Sequence, residues 1–224
     1  MAFREVALTE VAGDFDAFLI DQFGVLLNGP GTYPGTPESL SRLAALGKPI
    51  LLLSNSGKRS GPNEQRLVEQ GFAREAFMGV LSSGEAAHFA LQEAIGNQLP
   101  RGAKVFLISR DQDRSAIEGL DLTLTDQIDA ADLLLIAASE AERHTLDYYE
   151  ALLKIAADKH MLCWCSNPDQ TMLTEAGKMF GAGRIAKLYE ELGGEVQWFG
   201  KPHKLIYDIA LKKLGGPSPP KVLC

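Results

Sequence analysis

Three short stretches put reactive side chains at the ends of apolar runs. FLIDQFGVLLNG, residues 18–29, carries three large hydrophobes onto Asp21 and then opens into a loop bearing Phe23 and Gly24. PILLLSNS, from residue 49, ends on Ser54 and Asn55, and VQWFGKPHK, from residue 196, runs into Lys201. Ligands of open parallel sheets bind at the carboxyl ends of strands, which is where these residues are expected. Pro202 suits the first position of a helix, so Lys201 is expected at its N-cap with His203 and Lys204 just inside. Cations there oppose the helix dipole at about 0.3–1 kcal/mol each, an arrangement that makes sense where an anion is bound. A carboxylate facing a bound phosphate is out of place unless it attacks, or unless a cation lies between them. Aspartyl-phosphate chemistry has both features: a carboxylate nucleophile, and Mg2+ with lysine to neutralise the transferring group. Taken singly, each stretch also reads as ordinary surface: Asp21 and Ser54-Asn55 as turns, the cations as solvated side chains.

Strand-type apolar runs alternate with helical patterns, which predicts an α/β fold built on parallel sheet. Strands are expected at 16–21, 49–54 and 78–83. Helices are expected from Thr36 as N-cap to Gly47, from Pro62 to Gly71, and over 85–95. A second unit follows from about residue 98, with strands at 103–109, 131–138 and 161–165 and helices between, including 145–158. Near residue 180 the chain is expected to return to the first unit through a short strand at 196–200. A helix then buries Leu205, Ile206, Ile209, Ala210 and Leu214. PSPP, at 217–220, breaks that helix and KVLC starts a last strand. The domain reading is therefore 1–83 for the first part of a core, 84–180 for an inserted cap, and 181–224 for the rest of the core.

The 224 residues can bury a large core, and 46 % hydrophobic with 23 % charged residues is ordinary for a globular protein. A net charge of -7 argues against nucleic acid as the main partner, since phosphate backbones demand a basic face. The longest apolar stretches, such as LLLIAA at 133–138, are too short to span a bilayer, so no membrane partner is expected. With no apolar signal core at the N-terminus, a cytoplasmic location is expected. Three cysteines make no disulfide framework. Cys163 and Cys165 share one face of a strand, so they read as buried thiols rather than a bridge or a zinc site.

These residues together resemble the haloacid dehalogenase superfamily, and specifically its class IIA, NagD-like phosphatases, over nearly the whole chain. IDQFGVLLNG resembles the first motif, LLLSNS the second and WFGKP the third, with SNPD (166–169) and FGAG (180–183) similar to segments of the class IIA cap. The resemblance implies a Rossmann-like parallel core with an inserted α/β cap. It also implies a Mg2+-dependent phosphatase for a small phosphorylated metabolite such as a sugar phosphate, with a homodimer among the options. Asp21 is then the nucleophile and Lys201 the catalytic cation. Phosphate is bound by Phe23, Gly24, Ser54, Asn55 and Lys201, and Mg2+ is held by Asp21 and the Phe23 carbonyl. Asn167 and Asp169 are candidates for the cap, although N-P-D also reads as a turn. Two features depart from the pattern. Phe23 stands where the first motif usually has a second Asp, the general acid and base, and this opens a second reading: a non-catalytic protein that binds phosphorylated metabolites. The acidic fourth motif is expected beyond KVLC, so the chain is either a piece of a longer protein or a short form with an incomplete metal site.

Overall fold

The computed structural model describes residues 6–28, 31–174, 177–215 and 221–224. In chain order its elements are α1 (Leu8–Val11), β1 (Ala17–Asp21), α2 (Thr36–Ala44), β2 (Ile50–Ser54), α3 (Ser60–Glu69), β3 (Gly79–Ser82) and α4 (Ser83–Ala94). There follow β4 (Ala103–Ile108), β5 (Leu122–Leu124), β6 (Leu133–Ile136), α5 (Leu146–Asp158), β7 (Leu162–Cys165), β8 (Thr171–Thr174) and β9 (Gly177–Phe180). The chain closes with α6 (Ala182–Glu191), β10 (Val196–Trp198), α7 (Lys204–Lys213) and β11 (Val222–Leu223). Two compact units emerge. The first comprises residues 1–54, 61–81 and 207–224, and the second 55–60 and 82–206.

The first unit is a four-stranded sheet in the order β11-β1-β2-β3. β1 pairs in parallel with β2, Asp21 opposite Leu53, and with β11, Ala17 opposite Val222. Every residue of β2 is buried, as expected of a parallel strand covered on both faces. Phe18, Ile50, Leu52, Leu67 and Phe72 form the centre of its core. Chain order runs from β1 to β2 to β3 on one side, whereas β11 lies on the other. The order in which strands are added therefore reverses beside β1, and Asp21 ends that strand.

The second unit is a five-stranded sheet, β10-β7-β6-β4-β5, parallel throughout, together with the antiparallel pair β8-β9. One sheet face carries Leu134, Ile136, Cys163 and Cys165 and is covered by Tyr149 and Leu153 of α5 and Ile185 and Tyr189 of α6. The Tyr189 hydroxyl donates to the Met161 carbonyl at 2.7 Å, so the ring is buried with its polar end satisfied. Cys163 and Cys165 are free and buried, as the sequence predicts.

Several expectations need correction. Among the described residues no α-helix lies between β4 and β6. The segment turns through Asp111 and Gln112, both at positive φ (52° and 56°), and then supplies the edge strand β5. Such a conformation cannot continue a helix. The return to the first unit comes at Tyr207, not at 181, because β10 pairs with β7 (Trp198 opposite Cys165) and α6 shares the core of the second unit. Lys201 is not an N-cap: the His203 N–H bonds the Gly200 carbonyl at 2.8 Å, closing a turn, and α7 starts only at Lys204. Ile206, Ala210 and Leu214 are buried along α7 as predicted, but Leu205 is exposed. The hairpin β8-β9 and helix α6 have no counterpart in the sequence reading. The break expected at 217–220 lies outside the described residues.

Candidate functional site

In the first unit the register ends β1 and β2 at the same sheet edge, on Asp21 and Ser54. Asp21 faces Leu53, so Ser54 lies one residue further along the neighbouring strand, about 4.8 Å away in the pairing direction. Both stand at the carboxyl edge, where the strand order reverses. The Asp21 carboxylate accepts the N–H of Gln22 at 2.7 Å. The loop that follows is tied by the Gln22 carbonyl, which accepts N–H groups from Leu26 and Leu27 at 2.8 Å each. Gly24 donates to the Leu27 carbonyl at 2.8 Å with φ at 86°, a conformation that costs a residue with a Cβ but not glycine. The Phe23–Leu27 bridge uses the Gln22 carbonyl and the Gly24 N–H, so it leaves the Phe23 carbonyl outside its pattern. Tyr207 of α7 is raised above its ordinary pKa by burial, then by the charges of Cys224 and Asp21.

Phe23 is half exposed, and the Arg66 guanidinium of α3 lies 4.9 Å from its ring centroid. Arg66 also donates to the side-chain oxygens of Gln22 (3.3 Å) and Asn63 (3.2 Å), and burial lowers its pKa. A cation over an aromatic face is a favourable contact. The ring is thus held where the resemblance places a second carboxyl group.

In the second unit Asn55 and Lys201 are in direct contact. The Asn55 side-chain oxygen accepts the Lys201 N–H at 2.7 Å, and its amide nitrogen donates to the Lys201 carbonyl at 3.0 Å. The same nitrogen donates to Asp169 at 2.8 Å, and the same oxygen accepts from Ser83 at 3.3 Å. All four hydrogen-bonding positions of the amide are therefore occupied. Both N–H groups of the Asn55 amide are thus engaged with protein acceptors. Asn167 stays local: its side-chain oxygen accepts the Asp169 N–H at 3.1 Å, an Asx turn.

Among the described residues no group of three or more His, Cys, Asp or Glu side chains is placed to hold a metal. What the first unit offers is a carboxylate and a backbone carbonyl, both hard oxygen donors. Mg2+ keeps several waters and is commonly held by one or two carboxylates plus substrate phosphate. The donor set fits Mg2+ shared with a phosphorylated ligand and does not fit a closed protein cage.

Sequence reasoning missed Gln22, Arg66 and Ser83, and also the pair Arg59–Glu85. Glu85 accepts from Arg59 at 2.7 and 3.1 Å and from the Ser60 N–H at 3.0 Å, so it ties the start of α3 to α4. A signal for Glu85 was present: Ser82 and Glu85 form the S-x-x-E spacing of a capping box, and the Ser82 hydroxyl does accept the Glu85 N–H at 3.0 Å. Nothing in the sequence marks Arg66, which reads as one more polar residue on a helix.

A sequence profile of haloacid dehalogenase-like hydrolases matches residues 18–123. Human chronophin is 26 % identical over 217 residues, covering 92 % of this chain and 72 % of its own. The crystal structure of a haloacid dehalogenase-like hydrolase from Brucella suis superposes with a TM-score of 0.83 at 26 % identity, covering 92 % of this chain and 74 % of that one. A glycerol phosphate phosphatase from Mycobacterium tuberculosis, in complex with calcium, gives 0.69 at 25 % identity over 92 % and 58 % of the two chains. A second structure of the mycobacterial protein is in complex with magnesium. The curated relatives are covered over 41 to 75 % of their own length. The chain is similar to haloacid dehalogenase-like hydrolases, in sequence over residues 18–123 and in fold over most of its length. A structure named as a NagD protein shares the fold, with a TM-score of 0.69 at 20 % identity over 91 % of this chain and 77 % of that one.

Proposed function

We propose that this chain carries the catalytic carboxylate of a Mg2+-dependent phosphatase acting on a small phosphorylated metabolite. The observation that supports the proposal is the β1–β2 register, which ends both strands at one carboxyl edge, on Asp21 and Ser54, at the point where the strand order reverses. In this reading an Asp21 oxygen attacks phosphorus, and the bond to the leaving oxygen breaks with its electron pair. Water then attacks phosphorus in the aspartyl-phosphate, releasing phosphate and restoring the carboxylate. Ser54 and the Gly24 loop bind phosphoryl oxygens, and Lys201 is the cation that resemblance assigns to the transferring group. Mg2+, held by the Asp21 carboxylate and the Phe23 carbonyl, would neutralise phosphoryl charge. Phe23 can neither give nor take a proton, so the leaving oxygen departs without an acid from that position. Substrates with stable leaving anions are favoured accordingly.

Glycerol phosphate, named for the mycobacterial relative, is a small phosphorylated metabolite, though its alkoxide leaving group is of the kind that Phe23 disfavours. The net charge of -7 supports a small-molecule substrate over nucleic acid. Among the described residues no helix is long and apolar enough to cross a membrane. Two free, buried thiols are in keeping with the proposed cytoplasmic location. The Arg66-covered ring of Phe23 favours the second reading, a protein that binds phosphorylated metabolites without turning them over. Hydrolysis of an aryl phosphate with and without Mg2+ separates the two. Asp21→Asn should abolish turnover and any trapped phosphoenzyme while the fold persists. Turnover at the unaltered rate in that variant ends the aspartyl-phosphate proposal.

A further inference from the structure

Taking Lys201 as the phosphate-facing cation, and so resting on the function proposed above, we propose that Asn55 is a positioning residue. It holds the backbone of Lys201 on both sides, and Asp169 fixes the orientation in which it can do so. Two of the four bonds of the Asn55 amide go to the N–H and the C=O of one residue, Lys201, 146 positions away in sequence. An amide can be turned end for end, and only one orientation serves: oxygen toward the Lys201 N–H, nitrogen toward its carbonyl. The Asp169 carboxylate accepts and does not donate when ionised, so it takes the nitrogen end and excludes the reverse orientation. Ser83, on the oxygen side, donates its hydroxyl and agrees with that choice.

Glycines bring the segments close enough for this. A Cβ on Gly200, which has φ of 96°, would stand 2.1 Å from the Ser83 hydroxyl and 2.7 Å from the Asn55 side-chain oxygen. Asp169 is held from behind. A Cβ on Gly181 would lie 2.2 Å from the Asp169 carbonyl and one on Gly183 2.1 Å from the Pro168 carbonyl, while the Gly183 N–H bonds the Asp169 carbonyl at 3.0 Å. The Asn55 loop is built the same way. A Cβ on Gly57 would meet the Ala137 carbonyl at 2.1 Å, and the Gly84 N–H bonds the Ser56 carbonyl at 3.0 Å. Both SNPD and FGAG are thereby explained as the frame that aims Asp169 at Asn55.

A catalytic group misplaced by about 1 Å can cost roughly a hundredfold in rate. Asn55→Ala should therefore lower kcat for an aryl phosphate by roughly that factor with KM little changed, and the Lys201 amide, followed by NMR, should exchange faster. Asn55→Asp sets two carboxylates against each other and should lose a similar amount. The swap Asn55→Asp with Asp169→Asn restores a donor between the two residues, now on residue 169, and removes the carboxylate repulsion, so that residue 55 again accepts the Lys201 N–H in place while the bond to the Lys201 carbonyl stays lost. It should recover part of the kcat lost in Asn55→Asp. A rise in KM with kcat intact in Asn55→Ala would mean that Asn55 binds phosphate, and overturns the proposal. So does a swap no more active than Asn55→Asp, a comparison that decides the matter even where Asn55→Ala does not fold. Absence of hydrolysis by the unaltered chain is a failure of the proposed function instead. In that case Lys201 amide exchange in the single variant and the swap still shows whether Asn55 holds Lys201: unchanged exchange sinks the pin.

Discussion

At the scale of single residues, the chemistry two positions after Asp21 is set by a ring and a guanidinium. A general acid contributes about 10²–10⁴ in rate, most of it for leaving groups that need protonation. Phe23→Asp should therefore speed hydrolysis of an alkyl phosphate more than that of an aryl phosphate. The gain should be limited, because Arg66 now lies over residue 23 and would hold a new carboxyl ionised, in the wrong state to donate. Adding Arg66→Leu should raise the alkyl rate further. Parallel changes in both substrates, measured as kcat/KM ratios, would assign Phe23 to packing alone. Asp21 and Ser54 were legible in the sequence because each ends an apolar run, and a strand's end is a local feature. Arg66 and the task of Asn55 were not, because their partners come from elsewhere in the chain: Asn55 meets Asp169 114 positions on.

At the scale of elements, the parallel strands were legible where apolar runs were long and bounded by turn residues, as in β2 and β6. β8 and β9 were not: TMLT and GKMF are short and largely exposed, and only their pairing makes them strands. β10 was found but assigned to the wrong sheet, since three residues carry no information about which neighbour they pair with. Glycine shows how the same residue type serves opposite ends. Gly183 opens α6 against the Pro168 carbonyl, so Gly183→Ala must displace backbone and should cost about 1–3 kcal/mol. Gly61, in α3, has nothing within 4 Å of an added Cβ and is not at positive φ. Gly61→Ala should stabilise by about 0.5–1 kcal/mol, by reducing the freedom of the unfolded chain. Urea unfolding of the two variants reads both signs, and a loss in both would mean that the helix start at 60–61 does not tolerate a side chain.

At the scale of the whole molecule, the chain passes between the two units four times, at 54/55, 60/61, 81/82 and 206/207. Glu85 lies in the second unit, in the first turn of α4. It is almost fully buried, and its carboxylate joins Arg59 and the Ser60 N–H, whose helix α3 continues into the first unit. Burial alone would push its carboxyl up. The Arg59 guanidinium and the Ser60 N–H outweigh it and hold the group below the ordinary value of 4.5. A carboxyl lowered on folding contributes stability above its unfolded pKa, and that contribution is lost as the pH falls through the folded value. Acidification from about pH 7 to about pH 3 should therefore remove stability that the ionised Glu85 supplies. Glu85→Gln should start less stable at the upper pH, by about 1–3 kcal/mol, since a neutral amide replaces a charge-assisted acceptor of three N–H bonds. It should then lose less than the unaltered protein on going to the lower one. Urea midpoints at the two pH values measure the difference. Equal losses in both proteins would show that the Arg59–Glu85 pair does not govern the acid limb, and that other carboxylates do.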